Sequence, residues 1–165
     1  MDLTALDLVE INNLAANYAL AVDARDLALL ETLWTDDAVF RLVRDAVGLG
    51  APLRGRDCIV QGFRAFFARA PAPSAGSFTR HLWTSPRLTI AADEVRATTA
   101  LVSVRQELIG EAIRIHPSKT GLYQDRIVRD SGRWRFAERE LAWDPPERHG
   151  VALPDAVYGP LAAPW

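Results

Sequence analysis

The hydrophobic pattern of the chain changes its period near residue 78, and this change limits the folds open to it. Before that point, apolar residues recur at helical spacing in three stretches, about 11–22, 26–33 and 58–68. A short strand is predicted between the last two, at 38–43. After that point lie four long stretches rich in Val, Ile, Thr and Leu, which favour strands. They are 79–91, 94–108, 111–129 and 133–143. Helices followed by a meander of strands predict an α+β fold.

Local signals refine these elements. Asp57 is a good N-cap for the third helix. Cys58, which follows it in an apolar stretch, is interpreted as a core residue. Pro117 falls inside a strand and predicts a bulge, a break or a sheet edge there. The predicted buried face of the third helix consists of Ile59, Phe63, Phe66 and Phe67.

Composition argues against several classes of protein. The net charge is −2 and basic residues do not cluster, so no nucleic-acid partner is expected. No apolar run reaches the ~18 residues of a membrane span, and the N-terminus lacks the blocks of a signal peptide. The single cysteine rules out an intrachain disulfide and suits a cytoplasmic location. No His, Asp or Glu pair has metal-ligand spacing, so no metal is expected.

The length fits one domain, residues 1–143, followed by a Pro-rich tail, residues 144–165. The tail lacks periodicity but is too apolar for a solvated linker. We therefore expect it to pack on the domain or on a partner subunit, either as a lid over a cavity mouth or as an interface arm. Its apolar residues include Val151, Leu153, Val157, Tyr158, Leu161 and Trp165.

Alternation along the strands leaves two apolar faces. Trp134 and Phe136 share one face of the last strand, and Val102 and Val104 share one face of the second long strand. One of these faces is surplus to a single core, which predicts a homodimer or higher homo-oligomer through the outer sheet face. The Arg-rich stretch 126–139 is interpreted as a solvated strand face.

Four stretches, in this order, resemble the nuclear-transport-factor-two-like superfamily. They are Ile11 to Asp26, Leu33 to Phe40, Gly55 to Ile59 and Asp130 to Phe136. The resemblance covers roughly residues 8–143. It implies a cone-shaped α+β barrel, cystatin-like, in which a curved mixed or antiparallel sheet wraps around three N-terminal helices.

Within this superfamily the chain is most similar to the SnoaL-like branch that contains scytalone dehydratase and hexachlorocyclohexane dehydrochlorinase. Those enzymes carry an aspartate at the end of the first helix and a histidine shortly before the first long strand of the cone, and Asp23 and His81 fall on these positions. The resemblance implies that His81 is a general base and that Asp23 orients it. Thr99 stands where the dehydratase has a second histidine. The general-base aspartate of ketosteroid isomerase aligns with Leu42, so the isomerase machinery is incomplete.

The resemblance therefore implies a cofactor-free lyase of the dehydratase type, acting on a cyclic or polyketide-like small molecule in an apolar cavity. An isomerase or cyclase of the same fold, or a non-catalytic small-molecule-binding domain, remains an alternative. In the last case Asp23 and His81 only fasten helix to strand. Asp23 can also simply bind the backbone amides of residues 24–26. Candidate substrate-binding residues are Tyr18, Trp34, Trp83, Thr99, Ser103, Lys119 and Tyr123.

Overall fold

The computed structural model describes residues 2–44, 47–69, 76–91 and 94–144. Three helices and one eight-stranded sheet form within these ranges, which confirms the predicted α+β class. The elements are α1 (Ala5–Ala24), α2 (Leu27–Thr32), β1 (Trp34–Arg44), β2 (Val47–Gly48), β3 (Leu53–Arg54), α3 (Arg56–Arg69), β4 (Phe78–Trp83), β5 (Arg87–Ala91), β6 (Glu94–Ile109), β7 (Ala112–Asp130) and β8 (Arg133–Trp143).

The sheet is mixed and curved around the helices, as expected. Its strands lie in the order β2-β1-β8-β7-β6-β4, with β3 pairing on β1 and β5 pairing on β6. Every pairing is antiparallel except that of β1 with β8, which is parallel. This parallel contact joins the N-terminal part of the chain to the last described strand. β4 lies at one end of the strand order, so within the described residues one of its edges has no strand partner.

Thr4 and Asp7 cap the start of α1 together. Thr4 is the N-cap and accepts from the Asp7 backbone, while Asp7 accepts from the Thr4 backbone N–H in a capping box. The Asp7 carboxylate also accepts from the Trp134 indole at 2.9 Å and pairs with Arg129. The start of α1 is thereby fixed to the β7–β8 hairpin.

The core lies between the inner face of the sheet and the helices, and Tyr18 of α1 is at its centre. Four rings meet the Tyr18 ring edge-on, with centroids 5.6–6.1 Å away. They belong to Trp34, Phe63, Tyr123 and Phe136. Each edge-to-face pair of this kind stabilises the fold by roughly 0.5–1.5 kcal/mol beyond the contribution of the apolar area that it buries.

Several local expectations were wrong. Cys58 is exposed, so it is not a core residue. Phe66 is 52% exposed, because α3 buries a narrower face than its apolar content suggests. α3 begins at Arg56, which places Asp57 in its first turn instead of at the N-cap. The stretch 79–91 forms two strands that both pair with β6, separated at residues 84–86 where Pro86 lies.

The strands were also expected to contain a bulge at Pro117 and to leave one apolar face exposed. The register of β6 and β7 shifts beside Pro117, which confirms the predicted bulge. Trp134 and Phe136 are buried in the core, so they are not the surplus apolar face. Val102 and Val104 lie on the outer face and are half-buried. The homo-oligomer remains a prediction, and the tail beyond Asp144 lies outside the described residues.

Candidate functional site

Asp23 lies in the last turn of α1, where a carboxylate is electrostatically unfavourable. The carbonyl end of a helix carries partial negative charge, and no basic residue of α1 compensates it in this turn. The helix ends with Arg25 in the left-handed conformation, at φ 57°, and the N–H groups of Arg25 and Asp26 bond to Val22 and Ala21 carbonyls. These amides are therefore satisfied without Asp23, so the suggestion that Asp23 binds the amides of its own turn was wrong.

The partner of Asp23 is His81 on β4. The backbone N–H of His81 donates to Asp23 Oδ2 at 3.1 Å, and its ring Nδ1 lies 2.6 Å from Asp23 Oδ1. No strand of the described part of the chain pairs with β4 on this side, so the carboxylate satisfies an N–H group of the sheet edge as well as the ring. The predicted hydrogen bond between the two residues is thus present, across 58 positions of sequence.

The geometry fixes the tautomer of the imidazole. An ionised carboxylate only accepts hydrogen bonds, so the proton between Oδ1 and Nδ1 is carried by Nδ1. In the neutral ring Nε2 then has a free lone pair, and no described residue is hydrogen-bonded to it. The His81 side chain keeps 18% of its surface exposed, while Asp23 keeps only 7%. The buried carboxylate of Asp23 therefore holds the partly exposed imidazole of His81 in place.

A second ionic group lies deeper inside the cone. Arg139 of β8 forms two parallel hydrogen bonds of 2.7 Å with the Asp125 carboxylate of β7, and both side chains are almost fully buried. The guanidinium carbon lies 4.2 Å from the ring centroids of Tyr18 and Tyr123, and 3.9 Å from that of Phe136. The ion pair is therefore enclosed by aromatic rings.

Burial and charge act on these groups in opposite directions. Burial raises the pKa of Asp125, and the nearby Arg139 opposes that rise. Burial lowers the pKa of Arg139, but the carboxylate of Asp125 outweighs it and the net direction is upward. Burial also raises the pKa of Tyr18 well above its usual value and that of Tyr123 to about 12. Both phenols are therefore protonated at neutral pH and can donate hydrogen bonds.

Tyr123 links the two halves of the site. Burial is the largest cause of the raised pKa of Tyr123, and the positive charge of Arg139 opposes it. The negative charges of Asp125 and of Asp23 add to the rise. The ring of Tyr123 meets that of Tyr18 edge-on, with the ring centroids 5.6 Å apart. Polar groups thus run through an otherwise apolar core, from the dyad at one end to the ion pair at the other.

Three buried polar atoms in this core have no hydrogen-bond partner in the described parts of the chain. They are Arg139 Nη1, Thr99 Oγ1 and Trp34 Nε1. Thr99 lies directly opposite Tyr123, and Tyr123 lies two positions from Asp125 on the same face of β7. Leaving a buried polar atom unpaired costs roughly 1–3 kcal/mol, so each of these atoms lowers the stability of the fold unless it is given a partner.

The remaining candidates are spread along the same face and its rim. Ser103 is buried opposite His81, and its hydroxyl contacts that of Ser118 at 3.0 Å. Trp83 is half-buried at the end of β4. Lys119 is exposed, with its ammonium 5.1 Å from the Trp143 ring, and it lies on the same face of β7 as Tyr123, because it pairs with Ser103 as Tyr123 pairs with Thr99.

The buried ion pair was missed because β8 contains a bulge. Ile127 pairs with Phe136, yet the adjacent Arg126 pairs with Glu138, so Ala137 is an extra residue. Simple alternation places Arg139 on the opposite face from Phe136, and the bulge reverses this. The interpretation of the Arg-rich stretch as a solvated face was therefore wrong at Arg139. The one available signal was Asp125, which alternates in step with Tyr123 and Ile127.

Two further features are absent from the described ranges. No group of three or more His, Cys, Asp and Glu side chains in these ranges is placed to hold a metal ion. No helix in the same ranges is long and apolar enough to cross a membrane.

Comparison with known proteins gives a family and a set of related folds. The sequence profile of the SnoaL-like domain matches residues 4–140. A Nostoc punctiforme protein of unknown function with a cystatin-like fold superposes with a TM-score of 0.70 at 23% identity, over 88% of this chain and 97% of that one. ActVI-ORFA from Streptomyces coelicolor gives 0.68 at 20% identity, over 85% and 98%. A Catenulispora acidiphila protein in complex with S-DNPA gives 0.66 at 22% identity, over 85% and 95%. No curated protein sequence gives a significant match.

Proposed function

Because the chain belongs to the SnoaL-like domain family, we propose that it is a cofactor-free lyase that eliminates water from a cyclic or polyketide-like small molecule. The observation that carries this proposal is the 2.6 Å contact between Asp23 Oδ1 and His81 Nδ1, which leaves Nε2 as a base. Histidine is the side chain whose ordinary pKa lies nearest neutrality, so it can take up and return a proton in one cycle.

In the proposed reaction His81 Nε2 removes a proton from a carbon next to a carbonyl group. The electrons of that C–H bond form an enolate, and they then form the new C=C bond as the C–O bond of a β-hydroxyl group breaks. The proton held on Nε2 passes to the departing oxygen, which leaves as water, and the ring returns to its neutral form. Asp23 stabilises the imidazolium between these two transfers.

The enolate oxygen needs hydrogen-bond donors, and the core supplies them. Tyr18 and Tyr123 remain protonated because burial raises the pKa of both phenols. Arg139 Nη1 and Thr99 Oγ1 are buried without partners among the described residues. Donors fixed in a dry site act more strongly on developing charge than donors in water. Trp34, Trp83, Ser103 and Lys119 are proposed to shape or border the space that the substrate enters.

One observation favours a second function, a non-catalytic binding domain. Asp23 accepts from both the backbone and the ring of His81, as a fastening between α1 and β4 requires. The Catenulispora relative, which shares the fold, is in complex with the small molecule S-DNPA. An isomerase or a cyclase would use the same base but retain the leaving oxygen or form a new ring bond.

A panel of cyclic β-hydroxy ketones tests the proposal. The protein is incubated with each compound in the presence of EDTA, and the conjugated product is followed by its ultraviolet absorbance and by NMR. We expect turnover by the native chain and a loss of roughly 10²–10⁴ in His81→Ala. His116→Ala, which removes a histidine from the β6–β7 hairpin, is the matched control and should keep the native rate.

Two outcomes separate the alternatives. Compounds that raise the melting temperature but are never converted, by the native chain or by His81→Ala, would support the binding domain. Exchange of the α-proton with solvent deuterium, without loss of water, would support an isomerase. Native turnover in His81→Ala would remove His81 from the mechanism altogether.

A further inference from the structure

The β6–β7 hairpin carries apolar side chains on the outer face of the sheet. Leu108 pairs with Ile113, and Ile115 pairs with Gln106, so these side chains share one face. Leu108, Ile113 and Ile115 are 48%, 60% and 63% exposed. Val104 continues the same face toward the body of the sheet. We call Val104, Leu108, Ile113 and Ile115 the hairpin strip.

The hairpin also has an open backbone edge. β8 ends at Trp143, which pairs with Gly121 of β7, and the Asp144 backbone N–H adds one more bond, of 3.0 Å, to the Thr120 carbonyl. Within the described ranges no strand pairs with residues 112–119 of β7 on this side. An open strand edge next to exposed apolar side chains invites pairing with another segment.

The chain itself leaves the sheet at this edge. β8 runs antiparallel to β7, so the described chain ends at Asp144 heading along β7 toward Ile115 and then Ile113. The distance from Thr120 to Ile113 is about 23 Å along a strand. Residues 145–165 would span at most about 70 Å when fully extended, so they are long enough to cover it.

We propose that residues 145–165 dock on the hairpin strip of their own chain and cover the open edge of β7. Their composition suits this position. Val151, Leu153 and Val157 supply apolar contacts, while prolines such as Pro145 and Pro154 suit the outermost segment of a sheet, where some N–H groups need no partner. Because the segment is tethered beside the strip, its effective concentration there is in the millimolar range, which a second molecule rarely matches.

Hydrogen exchange measured by mass spectrometry tests this docking. The full chain is compared with a chain that ends at Asp144, and amides in residues 112–119 are followed. We expect those on the open edge to exchange roughly ten times faster or more in the truncated chain. β5, an outer strand on the other side of β6, serves as the internal control and should exchange equally in both proteins.

A double substitution in the full chain guards against a truncated protein that fails to fold. Ile113→Asp with Ile115→Asp places two charges on the strip and should speed exchange at residues 112–119 while making the tail sensitive to protease. Ile90→Asp, at another exposed isoleucine outside the strip, is the matched control and should leave both unchanged.

Two results would overturn the docking of the tail on the hairpin strip. Equal exchange at residues 112–119 with and without the tail would show that the tail does not cover this edge. Protection that survives truncation and rises with protein concentration would assign the strip to a second copy of the chain, and this too would overturn the docking of the tail.

Discussion

Replacing Asp23 by Asn should reverse the tautomer of His81 while keeping the shape of the site. In the native chain one carboxylate oxygen accepts from the His81 backbone and the other from Nδ1. An amide has a single oxygen, and the backbone N–H is a donor that cannot change its role. The amide oxygen therefore stays with the backbone, its NH₂ group faces Nδ1, and the ring proton moves to Nε2.

The size of the effect follows from the bond that is lost. A hydrogen bond to a charged group contributes about 1.5–3 kcal/mol, which corresponds to a preference of roughly 10- to 150-fold for the Nδ1–H tautomer. In Asp23→Asn this preference is lost and the NH₂ group favours the opposite form. A ring protonated on Nε2 has no lone pair facing the substrate. We therefore expect most of the general-base contribution, of order 10²–10⁴ in rate, to disappear.

Nitrogen-15 NMR of the histidine rings measures the tautomer directly and needs no substrate. The chain has three histidines, and the spectrum of His81→Ala assigns the signals of His81. Asp26→Asn is the matched control, because Asp26 caps α2 and Asn is an equally good N-cap. If the His81 ring of Asp23→Asn kept its proton on Nδ1, the reasoning about this pair would be refuted.

Three further predictions concern the core and its anchors. Arg139→Met leaves Asp125 as a lone buried acid and should lower the free energy of unfolding by about 3–5 kcal/mol, as measured by urea denaturation; an unchanged midpoint would contradict the buried ion pair. Thr99→Val removes an unpaired hydroxyl and should raise the free energy of unfolding by roughly 1 kcal/mol while weakening ligand binding; a loss of stability would mean that the hydroxyl has a partner. Hydrogen bonds from Thr4 and then from Trp134, with the charge of Arg129, lower the pKa of Asp7. Its stabilising effect is therefore fully present above the ordinary pKa near 4 and is lost as the pH falls below it, so Asp7→Asn should show a flatter acid limb of the stability curve.

The sequence predicted those parts of the molecule that depend on local pattern. The order of helices and long strands and the bulge at Pro117 follow from hydrophobic periodicity and from the missing N–H group of proline. The pairing of Asp23 with His81 followed from a resemblance, because no local rule brings residues 58 positions apart together. The catalytic role of that pair stays a prediction.

The parts that were missed depend on tertiary contacts. β1 was expected to span 38–43 but runs from Trp34 to Arg44, because β8 extends it by parallel pairing. The break between β4 and β5 arises where Pro86 interrupts an otherwise strand-like stretch. Arg139 was placed on the wrong face because one extra residue, Ala137, inverts the alternation of β8.

The parallel pairing of β1 with β8 also governs when the molecule can fold. Residues joined across it, such as Arg41 and Glu138, are 97 positions apart. Contacts of such separation form late, because the chain entropy of closing a long loop is lost before they contribute. At ribosomal rates β8 is synthesised roughly 5–20 s after β1. Until then β1 has no long strand to pair with and the Arg139 end of the site does not exist. The nascent chain therefore depends on its last described strand for a complete interior.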